Sequence, residues 1–355
     1  LRETAEPYAL PGVLSIDGAS GTAIQPITLR AAPGETPHIK GPGGAWSQIR
    51  FRNCRHWVVD GLEISNISRS FRIDNSSEIT IHNMHMHDSV QAHISIVGGS
   101  HDILVENNTI ENGGFIPDDS GKYHNGEGLY LGHNAGGDLI FDVVIRGNTI
   151  SRMQADCIDL KPDVHDVVIE GNTFEGCMLN ERCMASNNWV TCFGNEGISV
   201  RETVEYRQNP NHLIRNKVFK NQSSDVGGGV VISLLSGADV YNNIVYGVSS
   251  DEIAIKIGPQ NPHRTRVIHN TLDIPPARAV VNASRGDVRN NIGPNEPGNL
   301  PASAAAFANA SSGDYHLASA LPGTTVQDEF GRDFAGRERG VDGVWDLGAF
   351  EFEAK

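Results

Sequence analysis

Three acidic side chains recur at matching positions of three short apolar segments. The segments read EGLYLG at 127–132, DCIDLK at 156–161 and EGISVR at 196–201. If these segments are stacked strands, roughly 4.8 Å apart, then Glu127, Asp156 and Glu196 form one column. Stacked carboxylates repel each other unless a cation neutralises them, and oxygen ligands suit a hard cation such as Ca²⁺. The pattern predicts a Ca²⁺ site; the alternative is solvated charge on a chain with 43 acidic residues.

Lys161 and Arg201 are the last residues of two of these segments and would form a second column on neighbouring strands. Two cations side by side are unfavourable unless an anion lies between them. A guanidinium beside a lysine also makes the neutral amine, which is a general base, more accessible. The alternative is an ordinary surface lysine that pairs with Asp159 or Asp163.

Other polar residues near these columns are candidates for contact with a ligand. The candidates for substrate binding are Tyr130, Asp159, His124, His133 and Lys256. The histidines His82, His85, His87 and His93 also suggest a metal cluster, but Asp88 is the one carboxylate placed with them in the sequence. We therefore interpret this group as a histidine-rich surface strand.

A repeated phrase shows which elements must position these residues. Apolar residues alternate and are followed by an Asn or Gly turn. Examples are ILVENNTI at 103–110, VVIRGNTI at 143–150, VVIEGNTF at 167–174 and ADVYNNIV at 238–245. A second short strand precedes each phrase, and no stretch has a sustained helical period. The repeat predicts an all-β fold, a right-handed parallel β-helix with its Asn side chains stacked in an internal ladder. A β-propeller is the alternative, but its blades need repeats of roughly 40 residues.

Two insertions interrupt the repeat, near 111–127 and 175–196. Insertions in a solenoid usually lie over its binding face. The repeat ends near residue 292 and is followed by a Pro-, Ala- and Ser-rich stretch. We therefore expect a β-helix domain over 1–292 and an irregular C-terminal cap or tail over 293–355.

Composition excludes some classes of function. The net charge of −15 argues against a nucleic-acid-binding protein, which needs a basic face. No apolar run approaches the roughly 20 residues of a membrane span. Five cysteines, three of them between residues 177 and 192, and several glycosylation sequons favour a secreted or periplasmic protein. We expect a monomer and, because the sequence starts at Leu1, a processed or trimmed form.

These segments resemble polysaccharide lyase family six, the family of chondroitinase B and several alginate lyases. Asn125-Gly126-Glu127 resembles its first motif, with one fewer residue before the Glu. The segments 156–161 and 197–201 resemble the strands that end in its catalytic Lys and Arg. The sequence departs from the family at Tyr130, where the family has Arg, and at Glu202, where it has His.

The resemblance implies β-elimination on an acidic, uronic-acid-containing polysaccharide. It implies Lys161 as the base, Arg201 as the acid or leaving-group stabiliser, and Ca²⁺ held by Glu127, Asp156 and Glu196. Three alternatives stay open from the residues. A glycoside hydrolase would use Asp159 with Asp156 or Glu196, a glycan-binding solenoid would have no turnover, and an epimerase would return the proton.

Overall fold

The computed structural model describes residues 1–44, 46–179, 196–200, 212–219, 229–248, 250–259, 264–282, 286–326 and 330–353. Nearly all regular structure in these residues is β-strand. One short α-helix, α1 (Pro276–Ala279), and 3₁₀ turns at Ala302–Ala304 and Ala310–Ser312 are the exceptions in the described part. None of the helices found there is long and apolar enough to cross a membrane. The prediction of an all-β protein is confirmed.

One sheet runs along a single face of the molecule and contains ten parallel strands. Its strands, in spatial order, are β2 (Val13–Asp17), β5 (Gln48–Arg52), β8 (Arg69–Asp74), β11 (Ile94–Val97), β14 (Leu129–Leu131), β17 (Ile158–Leu160), β19 (Glu196–Val200), β21 (Val230–Leu234), β24 (Ile253–Ile257) and β27 (Val280–Asn282). Each strand comes from a different coil of the chain, so the sheet grows by one strand per coil.

The other strands form an eighteen-stranded sheet with two arms. The first arm holds β3 (Ile27–Arg30), β6 (Arg55–Asp60), β9 (Ser77–His82), β12 (His101–Glu106), β15 (Phe141–Arg146), β22 (Ala238–Tyr241), β25 (Arg266–Ile268) and β28 (Asp287–Arg289). The second arm holds β1 (Tyr8–Ala9), β4 (His38–Lys40), β7 (Glu63–Ile67), β10 (His85–Ser89), β13 (Thr109–Gly113), β16 (Thr149–Met153), β23 (Ile244–Tyr246) and β26 (Thr271–Leu272). Two long strands, β18 (Val167–Glu175) and β20 (His212–Phe219), pair with both arms. Each coil therefore adds a strand to all three faces, which confirms the parallel β-helix.

Alternation along each strand separates the core from the surface. In the ten-stranded sheet, Ile96, Leu131 and Leu160 pair in register on successive coils, and all three are completely buried. Along each strand, the side chains that alternate with these core residues face outward. The core is thus a stack of aliphatic side chains, and the outer face of the sheet is free to carry polar ones.

Asparagine side chains form the predicted ladder inside the turns. Asn108 Nδ2 donates to Asn148 Oδ1 at 2.8 Å, and Asn148 Nδ2 donates to Asn172 Oδ1 at 2.9 Å. Asn243, Asn270 and Asn291 repeat the pattern further along the chain. The residue before a ladder Asn has a positive φ, as at Gly147 (64°), which explains the recurring Gly or Asn at that position.

The C-terminal segment folds back onto the last coils. It contains an antiparallel pair, β29 (Phe307–Asn309) and β30 (Asp314–Leu317). Its Tyr315 and Phe350 pack against Ile244 in β23. Arg339 is buried there and donates to Glu351 Oε1 at 2.7 Å and to Asn242 Oδ1 at 2.8 Å. The segment therefore covers outer surface of the last coils, while a domain boundary at residue 292 stays a prediction.

We predict that Asn148→Ala destabilises the protein by about 2–4 kcal/mol. Its amide also donates to the Val105 carbonyl at 3.0 Å, so its loss leaves several buried polar groups without partners, each costing about 1–3 kcal/mol. Chemical denaturation measures the change. Asn295→Ala, on an exposed turn, is the matched control and should change the free energy of unfolding by less than about 0.5 kcal/mol. Equal effects of the two substitutions would contradict a structural role for the ladder.

Candidate active site

The outer face of the ten-stranded sheet carries one continuous column of polar side chains. Arg72 in β8 pairs in register with Ser95, which pairs with Tyr130. Tyr130 pairs with Asp159, and Asp159 with Ser199. Because the register between coils does not shift here, residues far apart in sequence lie on successive rungs of the same face.

A cleft with a volume of about 310 Å³ lies over this column. It is lined by Arg69, Arg72, Gln91, Ala92, Ser95, Val97, His124, Asn125, Glu127, Tyr130, His133, Asn134 and Lys161. One of its walls comes from the insertion 111–127, through His124, Asn125 and Glu127. Strands supply the floor, so its side chains are held by the backbone of neighbouring coils.

Lys161 lies at the floor of the cleft and is only 8% exposed. Its ammonium forms an ion pair with Asp159, which is itself buried. The same Nζ atom lies 4.8 Å from the centroid of the Tyr130 ring. The lysine thus pairs with Asp159, as the alternative interpretation expected, but it is enclosed in a cleft rather than placed on open surface.

Glu127 lines the cleft beside this pair. Burial, reinforced by the nearby charge of Asp159, raises its pKa. The side-chain amide of Asn125 donates to Glu127 Oε1 at 3.0 Å and partly offsets that effect. Glu127 is the one carboxylate among the described residues that line the cleft.

Tyr130 keeps its proton in this environment. Burial raises the pKa of its hydroxyl, and the negative charges of Asp159 and Glu127 raise it further. A tyrosine that holds its proton at neutral pH can donate a hydrogen bond or a proton to an oxygen atom in the cleft. It cannot serve as a phenolate base without a large cost in free energy.

Two arginines from β8, Arg69 and Arg72, line the cleft close to each other. Burial and the charge of Arg72 lower the pKa of Arg69 to about 10, so it remains a cation at neutral pH. Arg69 donates to Gln91 and stacks on Trp46, with 5.1 Å from its guanidinium carbon to the ring centroid. Adjacent guanidinium groups are a natural binding site for a carboxylate.

The structure brings several of the predicted ligand contacts into this cleft. His124 and His133 both line it. His124 Nε2 lies 2.7 Å from Asp118 Oδ2, and both residues belong to the insertion 111–127. Lys256 does not line the cleft. It lies three rungs beyond Asp159, at about 14 Å for a spacing near 4.8 Å, so its role as a contact to substrate stays a prediction.

Two further predictions fall on parts of the chain that the structure leaves undescribed. Arg201 lies outside the described residues. The backbone of Glu196 is in β19, in register with the columns above it, but its side chain is not described. The roles of these two residues stay predictions.

The described carboxylates supply an incomplete Ca²⁺ site. Asp156 is completely buried and does not line the cleft, although its backbone lies one rung from Glu127. Neither residue belongs to a set of three ligand atoms within 4.8 Å of one another in the described part. The third predicted ligand, the side chain of Glu196, lies outside the described part, so the Ca²⁺ site stays a prediction and we derive no catalytic step through it.

A disulfide secures the strand that carries Asp159. Cys157, immediately before β17, is bonded to Cys177 at the start of the second insertion. Cys183 and Cys192 lie outside the described residues, and Cys54 is a buried free thiol. Closing a loop of this length contributes about 3 kcal/mol in the chain-entropy description, so the bond stabilises the floor of the cleft.

Arg69 and Arg72 were missed by the sequence analysis, which aligned the strands only from residue 127 onward. A signal was present, because the segment FRID at 71–74 is an earlier member of the same strand series. Aligning this segment with the later strands would have placed Arg72 in the same column as Ser95 and Tyr130.

The sequence model of the family described as "Right handed beta helix region" matches residues 45–292. The chain belongs to this family. The right-handed β-helix of this chain therefore agrees in hand, as well as in parallel pairing, with the prediction. No curated protein sequence gives a significant match.

Solved structures share this right-handed β-helix at low sequence identity. An alginate lyase from Paenibacillus sp. str. FPU-7 is 18% identical, covers 84% of this chain and 94% of its own, and has a TM-score of 0.56. Pectate lyase Pel9A is 15% identical, covers 99% and 86%, and has a TM-score of 0.63. The family six alginate lyase AlyGC is 14% identical, with coverage of 83% and 45% and a TM-score of 0.43. The resemblance in fold to β-helix polysaccharide lyases is confirmed.

We predict that Arg72→Gln weakens binding of an acidic oligosaccharide about 10- to 100-fold, because a charge-assisted hydrogen bond contributes about 1.5–3 kcal/mol. Binding should also become less sensitive to salt. Arg50→Gln is the matched control, since Arg50 occupies the same column one rung away and forms an ion pair with Asp74, as Arg72 does at 3.7 Å, but does not line the cleft. Calorimetry with a fixed acidic oligosaccharide measures both variants. Equal loss in the two would show that the cleft does not bind the anion.

Proposed function

We propose that this protein is a secreted polysaccharide lyase that cleaves a uronic-acid-containing polysaccharide by β-elimination. The observation that carries the proposal is the enclosed trio of Lys161, Tyr130 and Asp159 beside the cationic pair Arg69 and Arg72. A base, a proton donor and a carboxylate-binding site are the three things that this reaction requires. Two solved structures with TM-scores above 0.5 are named as an alginate lyase and a pectate lyase, in agreement with this class.

Charge neutralisation is the first requirement. Removing the proton at C5 of a uronate places negative charge next to the carboxylate, so fixed positive charge must stabilise both. Arg69 and Arg72 supply it from β8. This local charge also answers the objection that a chain with a net charge of −15 should repel a polyanion, because screening acts over about 8 Å at physiological salt.

Lys161 is the proposed base. Its ammonium group is paired with buried Asp159 inside the cleft, within reach of a carboxylate that can accept a proton. Transfer of one ammonium proton to Asp159 within the buried pair produces an amine that faces the cleft. That amine accepts the C5 proton, and the electron pair of the C–H bond forms the new double bond as the glycosidic C4–O bond breaks.

Tyr130 is the proposed acid. Its hydroxyl stays protonated because of burial and the neighbouring carboxylates, so it can give a proton to the departing glycosidic oxygen. The Lys161 ammonium, which then carries the C5 proton, reprotonates the phenolate and takes back the proton held by Asp159, which restores the resting state. Arg201 keeps, as a proposal, the role of acid or leaving-group stabiliser that the family resemblance implies. His124 and His133 remain proposed contacts to neighbouring sugars, from the walls of the cleft.

The rival enzymes predict other arrangements or products. A glycoside hydrolase needs two carboxylates roughly 5–9.5 Å apart across the substrate, but Glu127 alone lines the described part of the cleft. An epimerase could use the same base, yet it releases no shorter chain. A solenoid that only binds glycans needs a surface of several exposed aromatic side chains. Among the described residues near this cleft, Trp46 is the large aromatic side chain that is exposed, so that surface is small.

Location outside the cytosol is part of the proposal. The bond between Cys157 and Cys177 forms and persists in oxidising compartments, and it supports the strand of the proposed base. An enzyme that acts on a polymer must also be where the polymer can reach it, which is outside the cell or in the periplasm. We propose a monomer, since a single chain contains the whole described cleft.

We predict that Lys161→Arg lowers kcat by about 10²- to 10⁴-fold, because guanidinium does not release its proton at ordinary pH. Tyr130→Phe, which keeps the ring and removes the hydroxyl, should also lower kcat about 10²-fold or more with little change in KM. The assay follows ultraviolet absorbance of the unsaturated uronide over a panel of acidic polysaccharides.

Arg50→Gln serves again as a variant outside the cleft and should retain the normal rate. If Lys161→Arg keeps a near-normal rate, the mechanism is wrong. New reducing ends without the unsaturated product would identify a hydrolase instead.

We also propose a Ca²⁺ site at Glu127 and Glu196, with Asp156 on the rung between them. When bound, the ion would add positive charge beside the uronate carboxylate. Calorimetry on chelated wild-type protein should then show one Ca²⁺ site, and Glu196→Gln should lose it. Failure of the wild-type protein to bind Ca²⁺, even with an acidic oligosaccharide present, would remove the ion from the proposal and leave the roles of Lys161 and Tyr130 in place.

A further inference from the structure

A group of histidines and carboxylates lies on the second arm of the eighteen-stranded sheet, away from the cleft. His38 in β4 pairs in register with Glu63 in β7, which pairs with His85 in β10. His87 follows two residues later on the same outward face. None of these residues lines the cleft.

We propose that His38, Glu63 and His87 form a binding site for a divalent transition metal ion, with Zn²⁺ as its natural occupant. Each residue offers one ligand atom within 4.8 Å of the others, and in the described part of the chain no other three His, Cys, Asp or Glu residues do so. Two imidazoles and one carboxylate favour Zn²⁺ over Ca²⁺ or Mg²⁺, which prefer ligand sets made of oxygen.

The distances suit a tetrahedral ion. Glu63 Oε1 lies 3.2 Å from His87 Nε2 and 3.5 Å from His38 Nδ1. Ligand bonds of 2.0–2.1 Å in a tetrahedron place neighbouring ligand atoms about 3.3 Å apart. An ion can therefore enter with small side-chain adjustments, and water completes the fourth position because the three side chains are 20–28% exposed.

The far nitrogen of each imidazole is already held by another group. His87 Nδ1 lies 2.8 Å from Asp88 Oδ2, and His38 Nε2 lies 2.7 Å from Ser65 Oγ. Such contacts fix the ring orientation and leave the other nitrogen as the metal ligand. A histidine that binds Zn²⁺ commonly contacts a carboxylate through its other ring nitrogen, as His87 contacts Asp88. This contact is a separate observation from the meeting of His38 and His87 at Glu63.

The three ligands come from successive coils, so a bound ion would cross-link β4, β7 and β10. This position near the N-terminal end indicates a structural ion. In the sequence, Asp88 is the one carboxylate placed with His85 and His87, and this favoured their interpretation as part of a surface strand. Glu63 and His38 reach the same place only through the register between coils.

A second histidine–aspartate pair provides a matched control. His101 Nδ1 lies 2.7 Å from Asp102 Oδ2 on the first arm, closely resembling His87 with Asp88. Asp88 and Asp102 have φ values of 56° and 53°, a region that Asn tolerates well, so Asp→Asn is conformationally mild at both. The two pairs differ in that His101 is not part of a group of three ligands.

The test is titration of chelated full-length protein with Zn²⁺ by calorimetry, with visible absorption of bound Co²⁺ as a second measurement. We expect one site and the d–d bands of four-coordinate Co²⁺. His38→Ala and His87→Ala should abolish both signals, and Asp88→Asn should weaken Zn²⁺ binding about 10- to 100-fold. His101→Ala and Asp102→Asn should change neither. Glu63→Gln provides a ligand variant of nearly unchanged shape if an alanine variant fails to fold.

Zn²⁺ binding that survives both His38→Ala and His87→Ala would overturn the proposal. So would an equal loss on His101→Ala, which would indicate unspecific surface binding, or Ca²⁺ binding at these residues with the strength of Zn²⁺. These outcomes are independent of the lyase proposal, because none of the variants touches the cleft.

Discussion

Parallel hydrogen bonding between successive coils is the constraint on which the rest of this molecule depends. It holds each coil in register with the next, so every position of a strand becomes a column along the helix. The ladder of Asn108, Asn148 and Asn172 reinforces that register inside the turns, where a strand could otherwise slip. The aliphatic core, the polar column over the cleft and the histidine group all follow from the same alignment.

Charge is distributed unevenly over this regular framework. The chain as a whole is strongly acidic, yet the floor of the cleft gathers Arg69, Arg72 and Lys161 on a few neighbouring coils. Buried Asp159 neutralises Lys161 at rest, and the two arginines face the cleft beside it. The parallel strands hold these cations at fixed positions on neighbouring coils, so their mutual repulsion is not relieved by movement of the backbone.

Much of the fold and part of the candidate site could be predicted from the sequence, because both depend on spacing within single coils. The Asn turns repeat locally, and the alignment of Tyr130 with Asp159 follows from matching apolar alternation. Contacts set by which coil lies beside which could not be predicted. The disulfide from Cys157 to Cys177 and the meeting of His38 with Glu63 depend on the lengths of individual coils, which differ from one another, and on the register between neighbouring coils.

The polar column also has a consequence for how such a protein can change over evolutionary time. Its members alternate with core residues, so a substitution at Ser95, Ser233 or Lys256 alters the outer surface while the aliphatic stack beneath stays intact. Adding or deleting one whole coil would lengthen or shorten the binding surface by a fixed increment of roughly 4.8 Å. The polarity of the outer face and the packing of the core are therefore encoded at separate sets of positions, and the first can vary with little effect on the second.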